Sequence, residues 1–231
     1  MRTPSRLLAP VVALRRLRHL PRWVRRLDAA AGRRVNRRRT HPALDVALVR
    51  LSRSADRGVL WFAMAAVLAV VGSRRAALRG VGSLTIASMA ANLVGKRVYG
   101  GDRPLLDDIP VGRRLRTPPT SPSFPSGHSA SAAAFATGVA LESPRSAAVV
   151  APLAAGVAYS RLHVGAHWLS DVVGGVALGA AVAIVGRLVL PVRPREERGG
   201  PVSSIRTELP ALETGRGLLV FLNPGSGTSV I

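Results

Sequence analysis

Five apolar stretches occupy the middle of the chain, and they constrain its fold more than any other feature. They lie at residues 59–72, 76–94, 129–141, 147–159 and 172–190. A helix that crosses a bilayer needs about 20 predominantly apolar residues, within a range of about 17–25. The shorter stretches reach that length only with their polar flanks, from which arginines can extend to the interface. The sequence therefore predicts an all-α integral membrane protein with a bundle of about five transmembrane helices, rather than a soluble helical bundle.

Charge is distributed unevenly along the chain. The formal net charge is +21, and 16 arginines fall within residues 1–57. Apolar clusters alternate with these arginines, whereas Trp23 is the only aromatic residue of the segment that could stack on a base. We interpret residues 1–57 as a basic amphipathic helical segment at a membrane surface, and we expect no nucleic acid as a partner.

Composition divides the rest of the chain. Residues 58–190 form the predicted transmembrane domain, and a polar linker with Pro and Gly follows at residues 191–216. Six prolines within residues 100–125 prevent a helix and predict an irregular connection between the second and third apolar stretches. Glycines such as Gly175 and Gly179 are frequent in the apolar stretches, and this predicts close contact between helix backbones. The chain has no cysteine, which excludes a disulfide framework and a thiolate metal site.

Three groups of polar residues lie at the ends of the apolar stretches. They consist of Lys96, Arg103 and Pro104; then Pro125, Ser126, Gly127 and His128; and finally Ser160, Arg161, His167 and Asp171. Lys96 is the only lysine in a chain with 33 lysines and arginines, so composition alone does not explain its position. If consecutive stretches cross the bilayer, all three groups lie at the same membrane face. The topology therefore predicts that these groups meet.

The histidines and the carboxylate in these groups indicate nucleophilic chemistry. His167 and Asp171 are four residues apart, so they share one face of a helix. A carboxylate in that position can bind one imidazole nitrogen and leave the other free as a nucleophile. His128 follows Ser126 and Gly127 at a helix start, where free backbone N–H groups bind anions. The pattern predicts a site for a phosphoryl group.

The cations in the three groups fit the same site. Arg103 and Arg161 can bind phosphate oxygens with forked donors, and Lys96 binds them as a point charge. Phosphoryl transfer depends on such placement of charge. His163 and His167 have the spacing of a metal-binding pair, but no Glu or Cys lies close in sequence to complete a site. We therefore expect no metal and no other cofactor.

The three groups resemble the signature of the type 2 phosphatidic acid phosphatase superfamily, which is K-x6-R-P, P-S-G-H and S-R-x5-H-x3-D. Every position of that signature is filled here, and the resemblance covers about residues 43–190. It implies that His167 is the nucleophile that forms a phosphohistidine, that Asp171 orients it, and that His128 protonates the leaving alcohol. The phosphate-binding residues that it implies are Lys96, Arg103, Ser126, Gly127 and Arg161.

The resemblance implies a multi-pass enzyme of the cell membrane that hydrolyses a lipid phosphomonoester or diphosphate without a metal. Candidate substrates are phosphatidic acid, phosphatidylglycerol phosphate and polyprenyl phosphate or diphosphate. Two alternatives remain open: vanadate haloperoxidase-like chemistry in the same pocket, and a non-enzymatic membrane scaffold protein with a basic arm. We expect the active site on the extracytoplasmic face, whereas the arginines of residues 1–57 favour the cytoplasmic face.

The end of the sequence carries a second resemblance. Residues 218–228, LLVFLNPGSGT, resemble the opening strand and the nucleotide-phosphate loop of the diacylglycerol kinase family. We interpret residues 217–231 as a truncated start of such a domain. Since only about eleven residues match, we predict no kinase activity in this chain.

Overall fold

The protein is described here by a computed structural model, which places residues 20–37, 40–98, 101–105, 109–117 and 119–192. The chain divides into two compact units, of which Pro194–Ile231 lies outside the described residues. The predicted kinase-like tail and nearly all of the predicted linker therefore lie outside them as well. The described residues form seven α-helices and contain no β-strand.

All five apolar stretches are helical, and two helices precede them. The helices are α1 Arg22–Arg37, α2 Pro42–Ser54, α3 Val59–Val70, α4 Arg74–Met89, α5 Gly127–Glu142, α6 Pro144–His163 and α7 Leu169–Val185. A π-helix, Ala90–Gly95, and a last turn, Lys96–Val98, prolong α4. A 3-10 turn, Gly186–Leu188, prolongs α7. The predicted all-α fold is confirmed for the described residues.

Two of the helices are long and apolar enough to cross a membrane. With their extensions they cover Arg74–Val98, with 25 residues, and Leu169–Leu188, with 20 residues. By contrast, α3 has 12 residues. A helix of that length spans roughly 18 Å, which is less than the roughly 30 Å of a hydrocarbon core. The number of five spans therefore stays a prediction.

Helix α5 lies at the centre of the bundle and packs against α4, α6 and α7. Glycines on α7 bring the two backbones together, because an added Cβ at Gly179 would lie 2.1 Å from the backbone oxygen of Ala130. One turn earlier, a Cβ at Gly175 would lie 2.4 Å from the backbone oxygen of Ser126. These close approaches confirm the packing that the small residues predict.

The basic N-terminal segment contains two helices that lie against the bundle. α1 contacts α6 and α7, and α2 packs against α6. Asp28 on α1 is buried and accepts hydrogen bonds from the backbone N–H of Ser170 at 2.8 Å and from its hydroxyl at 2.9 Å. α1 also exposes Trp23 and Leu27. The segment thus forms part of the folded protein beside the start of α7.

A buried ion pair holds the end of the bundle that lies away from the predicted site residues. Glu142, at the end of α5, accepts hydrogen bonds from Arg75 Nε at 2.9 Å and from Arg79 Nε at 2.7 Å. Arg79 and Glu142 are almost completely buried. Arg79 also donates to the backbone oxygen of Leu190. These contacts join the start of α4 to the end of α5 and to the chain after α7.

Candidate active site

The ends of α4 and α6 and the starts of α5 and α7 meet around a cavity of about 470 Å³. Six of the eight predicted site residues line this cavity: Lys96, Arg103, Gly127, His128, Arg161 and His167. Ser126 and Asp171 are fully buried and do not line it. The structure thus brings the three sequence groups together at one end of the bundle.

His167 and Asp171 face each other across the turn that starts α7. Asp171 Oδ2 lies 3.6 Å from His167 Nδ1, which is longer than a hydrogen bond. The same carboxylate oxygen accepts hydrogen bonds from the backbone N–H of Trp168 at 2.8 Å and from the hydroxyl of Ser123. Because Asp171 also caps α7 in this way, the helix start fixes the carboxylate beside the imidazole.

The surroundings of His167 keep its imidazole neutral. The residue is 4% exposed, and its pKa is lowered to about 4, with burial as the largest cause. The positive charges of Arg103 and Arg161 contribute to this lowering, whereas the Asp171 carboxylate opposes it. His167 Nε2 lies 3.3 Å from Arg103 Nη1, one of the cations that line the cavity. A neutral imidazole has the free electron pair that a nucleophile needs.

One serine of the proline-rich loop holds two of the cations. Lys96 Nζ donates to Ser121 Oγ at 3.0 Å. Arg103 Nε donates to the backbone oxygen of Ser121 at 3.1 Å, and Arg103 Nη1 donates to the backbone oxygen of Ala166. These acceptors are neutral oxygens, so they position the two side chains without neutralising their charge. Their positive charge therefore remains available to bind an anion.

Arg161 is held by the N-terminal part of the chain. Its side chain is almost fully buried, and Nη1 donates to the hydroxyl of Ser52, near the end of α2. His163, two residues further on, is fully buried, and its Nε2 lies 3.0 Å from Asp45 Oδ1. Arg113 Nε lies 3.1 Å from the same oxygen. This buried network connects the loop, α2 and α6 behind the site.

Ser126, one of the predicted phosphate-binding residues, is buried and caps a helix. Its hydroxyl accepts hydrogen bonds from the backbone N–H of Ser129 at 3.4 Å and from the Ser129 hydroxyl at 3.0 Å. Its own backbone N–H donates to the backbone oxygen of Asp171 at 3.0 Å. The side chain thus serves as the N-cap of α5, a position in which serine is strongly preferred. Its neighbours Gly127 and His128 remain in the cavity wall.

Several of the described side chains that contact the predicted site residues were not identified from the sequence, among them Ser52, Asp56, Ser121 and Ser123. Ser52 binds Arg161, Asp56 Oδ1 lies 2.8 Å from His128 Nε2, and Ser121 and Ser123 bind site residues from the loop. The two loop serines lie a few residues before the P-S-G-H group, and this proximity is the feature of the sequence that could have identified them. Ser52 and Asp56 lie in the arginine-rich segment, where no pattern distinguishes them.

One side of the cavity is apolar. It is lined by Phe62 on α3 and by Leu84 and Met89 on α4. Phe62 is 50% exposed and Met89 is 55% exposed, so this side continues onto the outer surface of the bundle. A ligand with a charged head and an apolar chain matches this distribution of charge along the cavity.

Comparison with known proteins agrees with this geometry. Residues 76–195, slightly more than half of the chain, match the sequence model of the PAP2 superfamily. A lipid A 1-phosphatase of Rhizobium johnstonii is 40% identical over 67 residues, which are 29% of this chain and 28% of that protein. The match thus spans less than a third of this curated relative's length.

Two solved structures are similar to the protein. The crystal structure of Aquifex aeolicus LpxE has a TM-score of 0.53 and 26% sequence identity, and the match covers 67% of this chain and 90% of that chain. The first transmembrane PAP2 type phosphatidylglycerolphosphate phosphatase from Bacillus subtilis has a TM-score of 0.55 and 19% identity. That match covers 82% of this chain and 96% of the other, and it shows the shared fold.

Proposed function

The chain belongs to the PAP2 superfamily, and we propose that it is a membrane lipid phosphatase that works through a phosphohistidine at His167. The observation that carries this proposal is the common cavity of Lys96, Arg103 and Arg161 with His128 and His167. Three cations and two imidazoles in one cavity match what phosphoryl transfer to a nitrogen nucleophile requires.

In the first step, the three cations hold the nonbridging oxygens of the phosphoryl group. His167 Nε2 attacks phosphorus, so that a P–N bond forms while the bond to the leaving oxygen breaks. The imidazole gains positive charge in this step, and the Asp171 carboxylate at 3.6 Å from Nδ1 stabilises it. His128 gives its proton to the leaving oxygen and becomes neutral.

In the second step, water hydrolyses the phosphohistidine. Neutral His128 removes a proton from the water molecule, which is the reverse of its role in the first step. The water oxygen bonds to phosphorus, the P–N bond breaks, and the electron pair returns to His167. Inorganic phosphate then leaves, and the protonated His128 and neutral His167 are restored.

The substrate is a lipid whose phosphate or diphosphate is terminal. The apolar wall formed by Phe62, Leu84 and Met89 supports this assignment, because an acyl or prenyl chain can lie along it while the head reaches the cations. The candidates are phosphatidic acid, phosphatidylglycerol phosphate and polyprenyl phosphate or diphosphate. The names of the relatives add lipid A 1-phosphate to this panel.

The protein lies in a membrane, and we propose that it crosses the bilayer several times with its active site on the extracytoplasmic face. The arginines at the opposite end, among them Arg74, Arg75 and Arg187, support this orientation by the positive-inside rule. The arginines of α1, beside the active site, favour the reverse. A topology reporter fused after Arg198 decides between them, since an extracytoplasmic signal there would contradict the proposed orientation.

The test of the proposed function is phosphate release from this lipid panel by the purified protein in detergent, with a metal chelator present. We expect activity that survives the chelator and is lost in His167→Ala. The matched control is His41→Ala, because His41 is an exposed histidine outside the cavity. Brief incubation with ³²P-labelled lipid should give an acid-labile label on the wild type. Undiminished activity of His167→Ala would overturn the proposal.

A further inference from the structure

The turn between α2 and α3 contacts the predicted general acid. Asp56 Oδ1 lies 2.8 Å from His128 Nε2, across 72 residues of sequence. Ser52, one helical turn earlier, accepts a hydrogen bond from Arg161. The family model matches residues 76–195, so both contacts come from a part of the chain outside that match.

The backbone of this turn has an unusual conformation. Arg57 has φ 54° and ψ 14°, and it is the only non-glycine residue with positive φ among those described. A side chain in the left-handed region costs free energy, and it persists where surrounding structure holds it. Arg57 and Gly58 line the same cavity as His128. The turn therefore forms part of the cavity wall near His128.

The charges around His128 explain why a carboxylate is needed there. The charged and titratable groups that line the cavity with His128 are Arg57, Lys96, Arg103, Arg161 and His167, and Asp56 contacts His128 directly. Four of these carry positive charge, which opposes a second positive charge on His128. A general acid must nevertheless enter the reaction protonated. Asp56 supplies the negative charge that favours the protonated imidazole.

We propose that Asp56 is a positioning residue that holds His128 as the protonated acid of the reaction. The inference rests on the proposed function. The imidazolium donates one N–H to Asp56, and its other proton passes to the leaving oxygen as the P–O bond breaks. Neutral His128 stays hydrogen-bonded to Asp56 and is then oriented to accept a proton from the attacking water.

The test compares two leaving groups in single-turnover experiments with the full chain in detergent micelles. A lipid phosphate has an alkoxide leaving group that needs a proton. The second substrate, p-nitrophenyl phosphate, has p-nitrophenolate as its leaving group, which needs no proton. We expect D56N to slow phosphoryl transfer from the lipid on the order of 10²-fold, the lower end of what general acids contribute. The rate of the p-nitrophenolate burst should change by less than about threefold.

The pH profile gives a readout that a purely structural role would not move. In D56N, the basic limb of the lipid reaction should shift to lower pH, because His128 loses its proton more easily. D56E keeps the negative charge, so its basic limb should lie close to the pH at which the wild type has it. H128A should show the same dependence on the leaving group, and adding D56N to it should cause little further loss. D102N, which removes another exposed carboxylate, serves as the control.

Each outcome bears on the proposal. An unchanged pH profile in D56N, or an equal loss with both leaving groups, would overturn the role of Asp56 while the phosphatase function stands. If the wild type releases phosphate from neither substrate, the proposed function itself fails. Asp56 is 57% exposed, so D56N is expected to fold, and its melting temperature checks this. D56S, which suits a turn, repeats the comparison if D56N is unstable.

Discussion

Asp171→Asn tests the electrostatic role of the carboxylate beside His167, the proposed nucleophile. Asparagine keeps an oxygen that can accept the hydrogen bonds from the Trp168 N–H and the Ser123 hydroxyl, so the cap of α7 is retained. What is lost is the negative charge 3.6 Å from His167 Nδ1. At that distance and an effective dielectric constant of about 20, the attraction for a full positive charge is about 4.6 kcal/mol.

This energy sets the expected change in rate. If the imidazole gains most of a positive charge in the transition state, phosphoryl transfer should slow on the order of 10³-fold. Ser123→Ala is the matched control, because it removes one hydrogen bond to Asp171 and keeps the charge. A hydrogen bond to a charged group contributes about 1.5 kcal/mol, so this variant should lose roughly tenfold.

The assay is single-turnover transfer from a ³²P-labelled lipid phosphate, with the melting temperature of each variant measured in the same detergent. The informative quantity is the ratio of the two variants' transfer rates, because both substitutions disturb the hydrogen bonds of Asp171. An Asp171→Asn variant that keeps more than about a tenth of the wild-type rate would refute the electrostatic reasoning. Equal losses in both variants would show that geometry, and not charge, is what Asp171 supplies.

Three further predictions concern pH and packing. The acidic limb of kcat/KM should lie near pH 4, because the lowered pKa of His167 keeps the nucleophile neutral above that value, and a limb near its ordinary 6.5 would contradict this. Asp45→Asn should lower the free energy of unfolding by about 2 kcal/mol, less than for a fully buried pair because the carboxylate is 23% exposed. It removes the charge that Arg113 faces, and an unchanged melting temperature would count against that pair. Gly179→Ala should destabilise by about 1–3 kcal/mol, since the added Cβ would lie 2.1 Å from a backbone oxygen of α5. Gly186→Ala, with nothing within 4 Å, is its control, and equal melting temperatures would refute the packing argument.

The sequence predicts that distant residues meet, because this depends only on the direction in which each helix runs. Consecutive helices alternate in direction, so the ends of α4 and α6 must lie beside the starts of α5 and α7. Lys96, His128 and His167 were therefore placed together without knowledge of any distance. The N-cap role of Ser126 was also available in principle, since serine before a helix start is a known preference.

Other parts of the site could not be read from the sequence. Asp56 is 72 residues from His128, and it lies among arginines whose pattern indicated only a surface segment. Its importance depends on a left-handed turn at Arg57, which nothing in the local residues requires. The short α3 shows a similar limit, because an apolar stretch predicts burial in lipid or protein but does not predict where the helix ends.

The π-helix of Ala90–Gly95 divides one long helix into a part that packs against α5 and an end that carries Lys96. Its wider turns hold one more residue than an α-helix would, so the residues before and after it follow different angular registers. The first part of α4 can thus keep Gly80 against Phe135 of α5, while Lys96 is aimed independently. Converting the π-helix to an α-helix of the same length would rotate the lysine by about 100° around the axis, whereas deleting one residue would regularise the helix with little rotation. The direction of Lys96 therefore depends on the extra residue in the π-helix, whereas the contact between Gly80 and Phe135 does not.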